Sequence, residues 1–333
     1  MKDALLAGAA GAVGDPPMRA PASAPVRAAF DDPEITATGE RRARVALGTL
    51  RTLWFATGTL CNLSCEGCYI ESSPRNDRLA YPTRDEVRGF LDEAARRDPP
   101  PDEIGFTGGE PFLNPALPDM IEDAAAAGFR VLVLTNAMRP MQKVKDRLCE
   151  IGRRWPGRLT VRVSLDHHAA EKHEALRGRG SWQPTLDGLV WLVENGFDVA
   201  VASRTVWGET DAVLRDGFAA LFAALGLAID ARDPSRLVLF PELDDAAAVP
   251  EITERCWGIL GKDPGSVMCA TSRMVVKRKG AARPTVVACT LLPYDPRFEV
   301  GATLAEAQKP VWLNHRHCAR FCVLGGASCS PGA

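Results

Sequence analysis

The chain has 333 residues, of which 46% are apolar, and it carries a formal net charge of −2. A charge so close to zero gives no electrostatic basis for binding nucleic acid or an anionic membrane. No apolar run reaches the roughly 20 residues that a membrane-spanning helix needs, and Asp3 interrupts an N-terminal stretch that resembles an export signal only weakly. We therefore expect a cytoplasmic protein without nucleic-acid or membrane partners.

Composition divides the chain into three regions. Residues 1–46 are rich in Ala, Pro and Arg and show no sustained period, which is typical of a disordered arm. Residues 47–249 have the regular pattern of a folded α/β domain. Residues 250–333 lose that regularity and contain six of the ten cysteines. We expect a small, cysteine-rich unit in this last region.

Short apolar segments alternate with segments of helical periodicity from residue 51 onward. The predicted strands are 52–57, 103–108, 130–136, 159–166, 198–205 and 236–242. The predicted helices are 83–97, 117–128, 141–154, 185–196 and 211–226. Strict alternation predicts a parallel sheet with helices outside it. Six such units suit an α/β fold of the partial (β/α)6 TIM-type barrel, in which functional groups gather at the C-terminal strand ends.

Three cysteines follow the first predicted strand with the spacing C-x3-C-x2-C. They are Cys61, Cys65 and Cys68. Clustered cysteines in a chain without an export signal favour metal binding in a reducing compartment. Two interpretations are open: part of a zinc site that is completed elsewhere, or three ligands of a [4Fe–4S] cluster whose fourth iron is open.

This motif, followed by Tyr69 and placed after the first strand of a predicted partial barrel, resembles the radical S-adenosylmethionine (SAM) enzymes. The resemblance covers residues 50–242. It implies that the amino and carboxylate groups of SAM chelate the open iron and that one electron from the reduced cluster cleaves SAM. The resulting 5′-deoxyadenosyl radical would abstract hydrogen from a substrate. A flavodoxin- or ferredoxin-type protein would donate the electron.

Residues at the ends of the other predicted strands match the same family. The GGEP sequence that ends in Pro111 resembles the GGE motif, which contacts the SAM amino group, and glycines there permit close backbone approach. In the SLD sequence, Ser164 would approach the SAM carboxylate or ribose, and Arg177 would pair with that carboxylate. The implied SAM-binding residues are Tyr69, Gly108, Gly109, Glu110, Asn136, Ser164 and Arg177.

The C-terminal region has a second group of cysteines. Residues 268–293 predict a hairpin around Lys279 and Gly280 with a cysteine on each side. This region resembles the auxiliary-cluster region of the twitch and SPASM subfamilies, which implies a second [4Fe–4S] cluster. Its expected ligands are Cys269, Cys289, Cys318 and Cys322, with Cys329 as a further candidate. A structural zinc on the same four cysteines is the alternative.

The resemblance therefore implies an oxidoreductase that acts on an unidentified small-molecule or peptide substrate. The auxiliary cluster would either accept an electron from the substrate, which gives a net oxidation, or bind the substrate. One alternative is a peptide-modifying radical SAM enzyme of RiPP maturation. Another is a non-catalytic iron–sulfur electron carrier, which does not explain why Glu110, Ser164 and Arg177 lie at or just beyond matching strand ends.

Overall fold

The computed structural model describes residues 28–242 and 248–326, and their backbone is organised around one large sheet. Within these residues the strands are β1 (Arg44–Val45), β2 (Thr52–Ala56), β3 (Glu103–Thr107), β4 (Arg130–Thr135), β5 (Leu159–Ser164), β6 (Asp198–Arg204), β7 (Leu237–Phe240), β8 (Ser272–Val276), β9 (Thr285–Val287), β10 (Glu299–Gly301) and β11 (Val311–Trp312). The α-helices are α1 (Arg84–Ala95), α2 (Leu117–Ala126), α3 (Arg139–Gln142), α4 (Lys145–Arg154), α5 (Ala170–Arg177), α6 (Trp182–Glu194), α7 (Asp211–Ala224) and α8 (Cys256–Leu260). None of these helices is long and apolar enough to cross a membrane.

The six predicted strands are present as β2 to β7. They lie side by side in chain order, and each pairs in parallel with the next. The prediction of an α/β fold with a mostly parallel sheet is confirmed. The shared direction places the chain segments that follow β2 to β6 at the same edge of the sheet, where the predicted site residues lie. Closure into a partial (β/α)6 barrel stays a prediction.

The C-terminal region extends this sheet. The predicted hairpin exists as β8 and β9, but β8 also pairs in parallel with β2, so that Thr52 lies opposite Ser272. β10 then pairs with β9 at the outer edge. The region from residue 250 is therefore tied to the main sheet through the backbone hydrogen bonds of β2. All five residues of β8 are buried, because this strand covers a sheet edge that would otherwise be unpaired.

Part of the expected disordered arm is ordered. Residues 1–27 lie outside the described residues, whereas residues 28–46 pack on the C-terminal region. β1 pairs with β11, and the fully buried Arg42 forms an ion pair with Glu251. The same carboxylate accepts hydrogen bonds from the backbone N–H of Phe30 and Ala37. The expectation of disorder fails here because these long-range partners are not visible in local composition.

The sheet separates two apolar layers. The larger one packs between the sheet and the helices and includes the central residues Phe55, Val133 and Val163. The smaller one lies on the opposite face of the sheet. Its members are Trp54, Ala56, Leu79, Leu132, Met274, Val276 and Val287, with Leu134 and Tyr294 packed against them.

The ring of Trp54 depends on a glycine in the neighbouring strand. Gly105 lies opposite Trp54 in the pairing of β2 with β3, and a Cβ atom at position 105 would come within 2.3 Å of the indole. Because Trp54 is fully buried, its ring has no open space into which to move. Glycine at position 105 therefore allows Trp54 and the rest of the smaller apolar layer to pack without a clash.

We expect the Gly105→Ala variant to lower the free energy of unfolding by about 1–3 kcal/mol, the usual cost of overpacking a core. Urea unfolding followed by circular dichroism measures this. Gly89→Ala is the matched control, since position 89 is exposed on α1 with open space around it, and alanine should stabilise a helix interior by about 0.5–1 kcal/mol. Equal stability of Gly105→Ala and wild type would contradict the packing argument.

Candidate functional site

A cavity of about 200 Å³ lies at the C-terminal ends of the parallel strands. It brings together side chains and backbone from the segments that follow β2, β3, β4, β5 and β6. The predicted site residues that line it are Cys61, Cys65, Cys68, Tyr69, Gly108, Gly109, Asn136, Ser164 and Arg177. The chain therefore assembles this set from positions far apart in the sequence, as the parallel sheet predicts.

The three cysteines of the first motif are held in the loop after β2. The Cys61 N–H donates to the Ser73 carbonyl oxygen at 3.0 Å. The Cys68 Sγ accepts a hydrogen bond from the Ser72 N–H at 3.4 Å. Burial raises the pKa of the Cys61 thiol to about 12 and also raises the pKa of Cys65, which the nearby Arg177 guanidinium opposes. Buried thiols that face a cavity suit iron, which binds them as thiolates and provides the missing positive charge.

The middle of this loop is fixed from two sides. The Glu66 N–H donates to the Leu176 carbonyl oxygen on α5 at 2.8 Å. The Glu66 carbonyl oxygen accepts from Nη1 of Arg204, the last residue of β6, at 2.8 Å. Both contacts involve the residue directly after Cys65. They set the position of the Cys65 and Cys68 backbone relative to the sheet.

The Glu110 carboxylate is held by hydrogen bonds within the protein. Its buried carboxylate accepts hydrogen bonds from the Thr135 hydroxyl at 2.8 Å and from the Asn136 N–H at 2.9 Å, and burial raises its pKa to about 7. It braces the end of β3 against the end of β4. Among the described residues it does not belong to the cavity lining, and its contact with the SAM amino group stays a prediction.

The two glycines before Glu110 line the cavity where glutamate does not. A Cβ atom on Gly108 would lie 2.5 Å from the Gly58 carbonyl oxygen, and one on Gly109 would lie 2.1 Å from the Leu60 carbonyl oxygen. Only glycine permits so close an approach of two backbones. The GGEP sequence therefore holds its backbone against the segment that leads into the cysteine loop and exposes that backbone to the cavity.

Asn136 connects the end of β4 to the same loop. Its Nδ2 donates to the Asn62 Oδ1 at 2.9 Å, and its Oδ1 accepts from the Met138 N–H at 3.0 Å. Tyr69 makes a comparable link, because its hydroxyl lies 3.3 Å from the Thr107 Oγ1 at the end of β3. Both predicted residues thus line the cavity and position the cysteine loop.

Arg177 is paired inside the protein. Its Nη2 donates to the Asp166 Oδ1 at 3.0 Å, and its Nε lies 2.8 Å from the Asp166 Oδ2. Both side chains line the cavity and both are largely buried. The Asp166 N–H in turn donates to the Nδ1 of the fully buried His173 at 3.3 Å. Arg177 therefore lines the cavity with a guanidinium whose orientation is fixed by the Asp166 carboxylate.

Two histidines near Ser164 are packed inside the protein. His167 and His173 are buried, and the His167 Nε2 lies 3.1 Å from the Glu209 Oε1. Burial lowers the pKa of His173 to about 4. The neutral ring acts as a fixed hydrogen-bond acceptor for Asp166 rather than as a titrating surface group.

A second cavity, of about 20 Å³, lies beside the first. It is lined by all four cysteines predicted as auxiliary ligands, namely Cys269, Cys289, Cys318 and Cys322. The remaining lining is largely apolar. Burial raises the pKa of Cys269 to about 11 and raises the pKa values of Cys289 and Cys318 well above the usual range of a thiol. Cys329 lies outside the described residues.

The four cysteines surround a space. Within residues 28–242 and 248–326, no three His, Cys, Asp or Glu groups converge so as to hold a single metal ion. A cubane cluster needs its cysteines spread around it, one on each iron. A cavity lined by four cysteines has the donor set that such a cluster requires.

One thin wall separates the two cavities. Leu291 lines both of them. Phe321 lines the first cavity, whereas Cys322, the next residue, lines the second. The ring of Phe321 also stacks on Phe240 at the end of β7, with 5.8 Å between ring centroids. The two groups of cysteines therefore face spaces that share an apolar wall.

Several lining residues have no counterpart among the sequence predictions. They are Arg162, Asp166, Ser203, Phe240, Leu291 and Phe321. The alternation in LTVRVS, residues 159–164, contains the signal for Arg162, because it places this residue on the face opposite Val161 and Val163. Leu291 and Phe321 follow ordinary apolar patterns, so only the three-dimensional contacts reveal them.

Part of the chain is similar to known proteins. The radical SAM superfamily model matches residues 56–214. The mycofactocin maturase MftC of Mycobacterium tuberculosis is 31% identical over 166 residues, which are 50% of this chain and 40% of that protein. The match therefore spans about two fifths of that relative's length.

Two solved structures have a similar fold. Streptococcus suis SuiB bound to S-adenosylmethionine matches with a TM-score of 0.55 and 12% identity, over 76% of this chain and 63% of SuiB. The structure of anSMEcpe with bound AdoMet and Cp18Cys peptide matches with a TM-score of 0.51 and 14% identity, over 77% of this chain and 79% of that chain. At such identities the likeness shows the fold alone. The superfamily match contains the C-x3-C-x2-C loop, and residues 56–214 of this chain form a radical SAM domain.

Proposed function

We propose that this chain binds a [4Fe–4S] cluster on Cys61, Cys65 and Cys68 and uses it to cleave SAM and abstract hydrogen from a substrate. The observation that carries the proposal is the single cavity that these three thiols share with the expected SAM-binding residues. When bound there, the cluster and SAM supply one-electron reductive cleavage and a radical that removes a hydrogen atom. The electron would come from a flavodoxin- or ferredoxin-type donor.

The protein's own residues have distinct tasks in this proposal. The backbone of Gly108 and Gly109 lines the cavity and would face the SAM amino group. Only glycine allows this backbone to pack so closely against the carbonyl oxygens of Gly58 and Leu60. Ser164 and Arg177 face the SAM carboxylate. The Asp166 carboxylate holds the Arg177 guanidinium in one orientation, so little side-chain freedom is lost when the ligand binds.

We propose a second [4Fe–4S] cluster on Cys269, Cys289, Cys318 and Cys322, since these four cysteines line one cavity. Four thiolates would occupy all four irons, which favours electron transfer over direct binding of a substrate. The shared wall at Leu291 supports this role, because it keeps the two cavities close and separate. A cluster held by these four cysteines would supply a one-electron acceptor, so that loss of a hydrogen atom, one electron and a proton from the substrate would amount to a two-electron oxidation.

We propose a peptide as the substrate. A structure of the same fold holds AdoMet together with a peptide, and a maturase is similar over half of this chain. A non-catalytic electron carrier would have no use for a cavity lined by Ser164 and Arg177 beside an incomplete set of cysteine ligands. Cleavage of SAM by the purified protein under dithionite separates the enzyme from the carrier.

We expect the triple variant Cys61→Ala, Cys65→Ala and Cys68→Ala to lose dithionite-driven SAM cleavage. It should keep the absorbance of the second cluster near about 400 nm, a region typical of iron–sulfur proteins. Chromatographic assay of 5′-deoxyadenosine measures the cleavage. Cys149→Ala is the matched control, since Cys149 lies outside both cavities, and it should cleave SAM at the wild-type rate. Full cleavage by the triple variant would rule out the proposed cluster site.

We expect Arg177→Gln to weaken SAM binding by about 1.5–3 kcal/mol, the range for a hydrogen bond to a charged group. Equilibrium binding of SAM to the reconstituted protein gives this value, and an unchanged cluster spectrum shows that the loop is intact. Arg179→Gln, an exposed arginine two residues further on, removes the same charge and should bind SAM normally. Equal affinities of the two variants would show that Arg177 acts only on Asp166.

We expect about eight irons per chain in the reconstituted wild type, as two cubane clusters contain. Replacing Cys269, Cys289, Cys318 and Cys322 by alanine should leave about four, because the first cluster has its own ligands. Cys329→Ala should retain about eight, since four other cysteines already line the second cavity. Metal analysis by mass spectrometry distinguishes these cases, and one zinc per chain in place of the second set of irons would refute the auxiliary cluster.

A further inference from the structure

Ser72 has a buried hydroxyl group at the wall of the first cavity. The residue lines this cavity, and its relative exposure is 5%. Among the residues that the structure describes, its Oγ has no hydrogen-bond partner. A hydroxyl group that is buried without a partner costs free energy, because it has given up its hydrogen bonds with water. Such a group in a folded protein points to a bound ligand or to a redox or catalytic role.

The backbone of Ser72 is fixed beside the cysteine motif. Its N–H donates to the Cys68 Sγ at 3.4 Å. The next residue, Ser73, pairs with Leu60 in a parallel bridge, and the Ser73 carbonyl oxygen accepts from the Cys61 N–H at 3.0 Å. Ser72 is therefore held in contact with one of the expected cluster ligands and is adjacent in the chain to the residue that holds another.

The adjacent serine uses its hydroxyl group within the protein. The Ser73 Oγ accepts hydrogen bonds from the backbone N–H groups of Arg75 and Asn76 at 3.3 and 3.1 Å, so it completes a turn. The Ser72 hydroxyl has no comparable task within residues 28–242 and 248–326. Its partner is therefore to be sought in what the cavity binds.

The groups assigned to SAM come from other parts of the chain. Gly108 and Gly109 follow β3, Ser164 ends β5 and Arg177 ends α5. Ser72 belongs instead to the loop of the three cysteines, and its amide already contacts one of their sulfur atoms. The sulfur atoms of an iron–sulfur cluster accept hydrogen bonds. They are the acceptors that the position of Ser72 favours.

We propose that the Ser72 hydroxyl donates a hydrogen bond to a sulfur atom of the cluster on Cys61, Cys65 and Cys68 and thereby raises the reduction potential of that cluster. Reduction adds negative charge to the sulfur atoms, and a hydrogen bond becomes stronger as the charge of its acceptor grows. The donor therefore stabilises the reduced state more than the oxidised one. The inference rests on the proposed function, because it assumes that these cysteines hold the cluster.

The test compares the midpoint potential of the first cluster in the reconstituted full chain and in Ser72→Ala. A redox titration followed by electron paramagnetic resonance measures this potential. The signal of the first cluster is the one that the triple variant of Cys61, Cys65 and Cys68 lacks. We expect Ser72→Ala to make reduction about tenfold less favourable, which for one electron is a potential about 59 mV lower, because the variant loses a hydrogen bond to a charged group.

Two further variants are the controls. Ser72→Thr keeps a hydroxyl group and should retain most of the wild-type potential. Ser73→Ala removes the adjacent hydroxyl, whose partners are backbone N–H groups, and it should have the wild-type potential although its turn loses two hydrogen bonds. Equilibrium binding of SAM to the oxidised protein should be the same in Ser72→Ala and wild type.

Several results would overturn the inference. An unchanged potential in Ser72→Ala would leave the hydroxyl group to water, or to SAM if SAM binding is weakened. Equal lowering of the potential in Ser72→Ala and Ser73→Ala would assign the effect to the shape of the loop. If Ser72→Ala does not assemble the first cluster, Ser72→Gly removes the same hydroxyl, and loss of the cluster in both variants would assign Ser72 to assembly. The proposed cluster site itself fails if the wild type and the triple variant give the same spectrum.

Discussion

The parallel pairing of β8 with β2 is the constraint on which both cysteine cavities depend. β2 leads directly into the loop of Cys61, and β8 begins three residues after Cys269. Because the two strands share backbone hydrogen bonds, the loop that holds Cys61 and the segment that holds Cys269 are attached to neighbouring strands of one sheet. The buried Arg273 of β8 strengthens this link, since its guanidinium donates to the carbonyl oxygens of Cys269 and Ala307 at 2.6 and 2.9 Å. The distance between the cavities is thus set by the sheet rather than by a flexible connection.

The sequence predicts much of this architecture because the relevant signals are local. Apolar runs bounded by helical segments mark β2 to β7, and the three cysteines of the first motif lie within eight residues of one another. The pairing of β8 with β2 is different, because it joins segments far apart in the chain and no local pattern specifies the partner. The packing of residues 28–46 on Glu251 is missed for the same reason.

In the candidate site, the sequence predicts which residues take part but not what each side chain contacts. All the residues that the family resemblance selects for the first site, except Glu110, line the first cavity. The resemblance does not reveal what each side chain contacts. Glu110 holds Thr135 and Asn136 in place, and Arg177 is paired with Asp166. Both facts depend on where a carboxylate or a guanidinium finds its nearest buried partner. That choice is made by the folded structure, since a buried charge without a partner is costly.

The first cavity has two chemically different sides. Charged and hydrogen-bonding groups come from β5, which carries Arg162 and Ser164, and from α5, which ends at Arg177. Leu291 and Phe321 of the C-terminal region form an apolar side, and Leu291 also lines the second cavity. On the proposed function, SAM binds against the polar side and the substrate lies between the two. A substrate radical would then form next to a wall that excludes water from the reaction and separates it from the electron acceptor by a single layer of side chains. The C-terminal region would in this way both close the reaction space and hold the cluster that completes the oxidation.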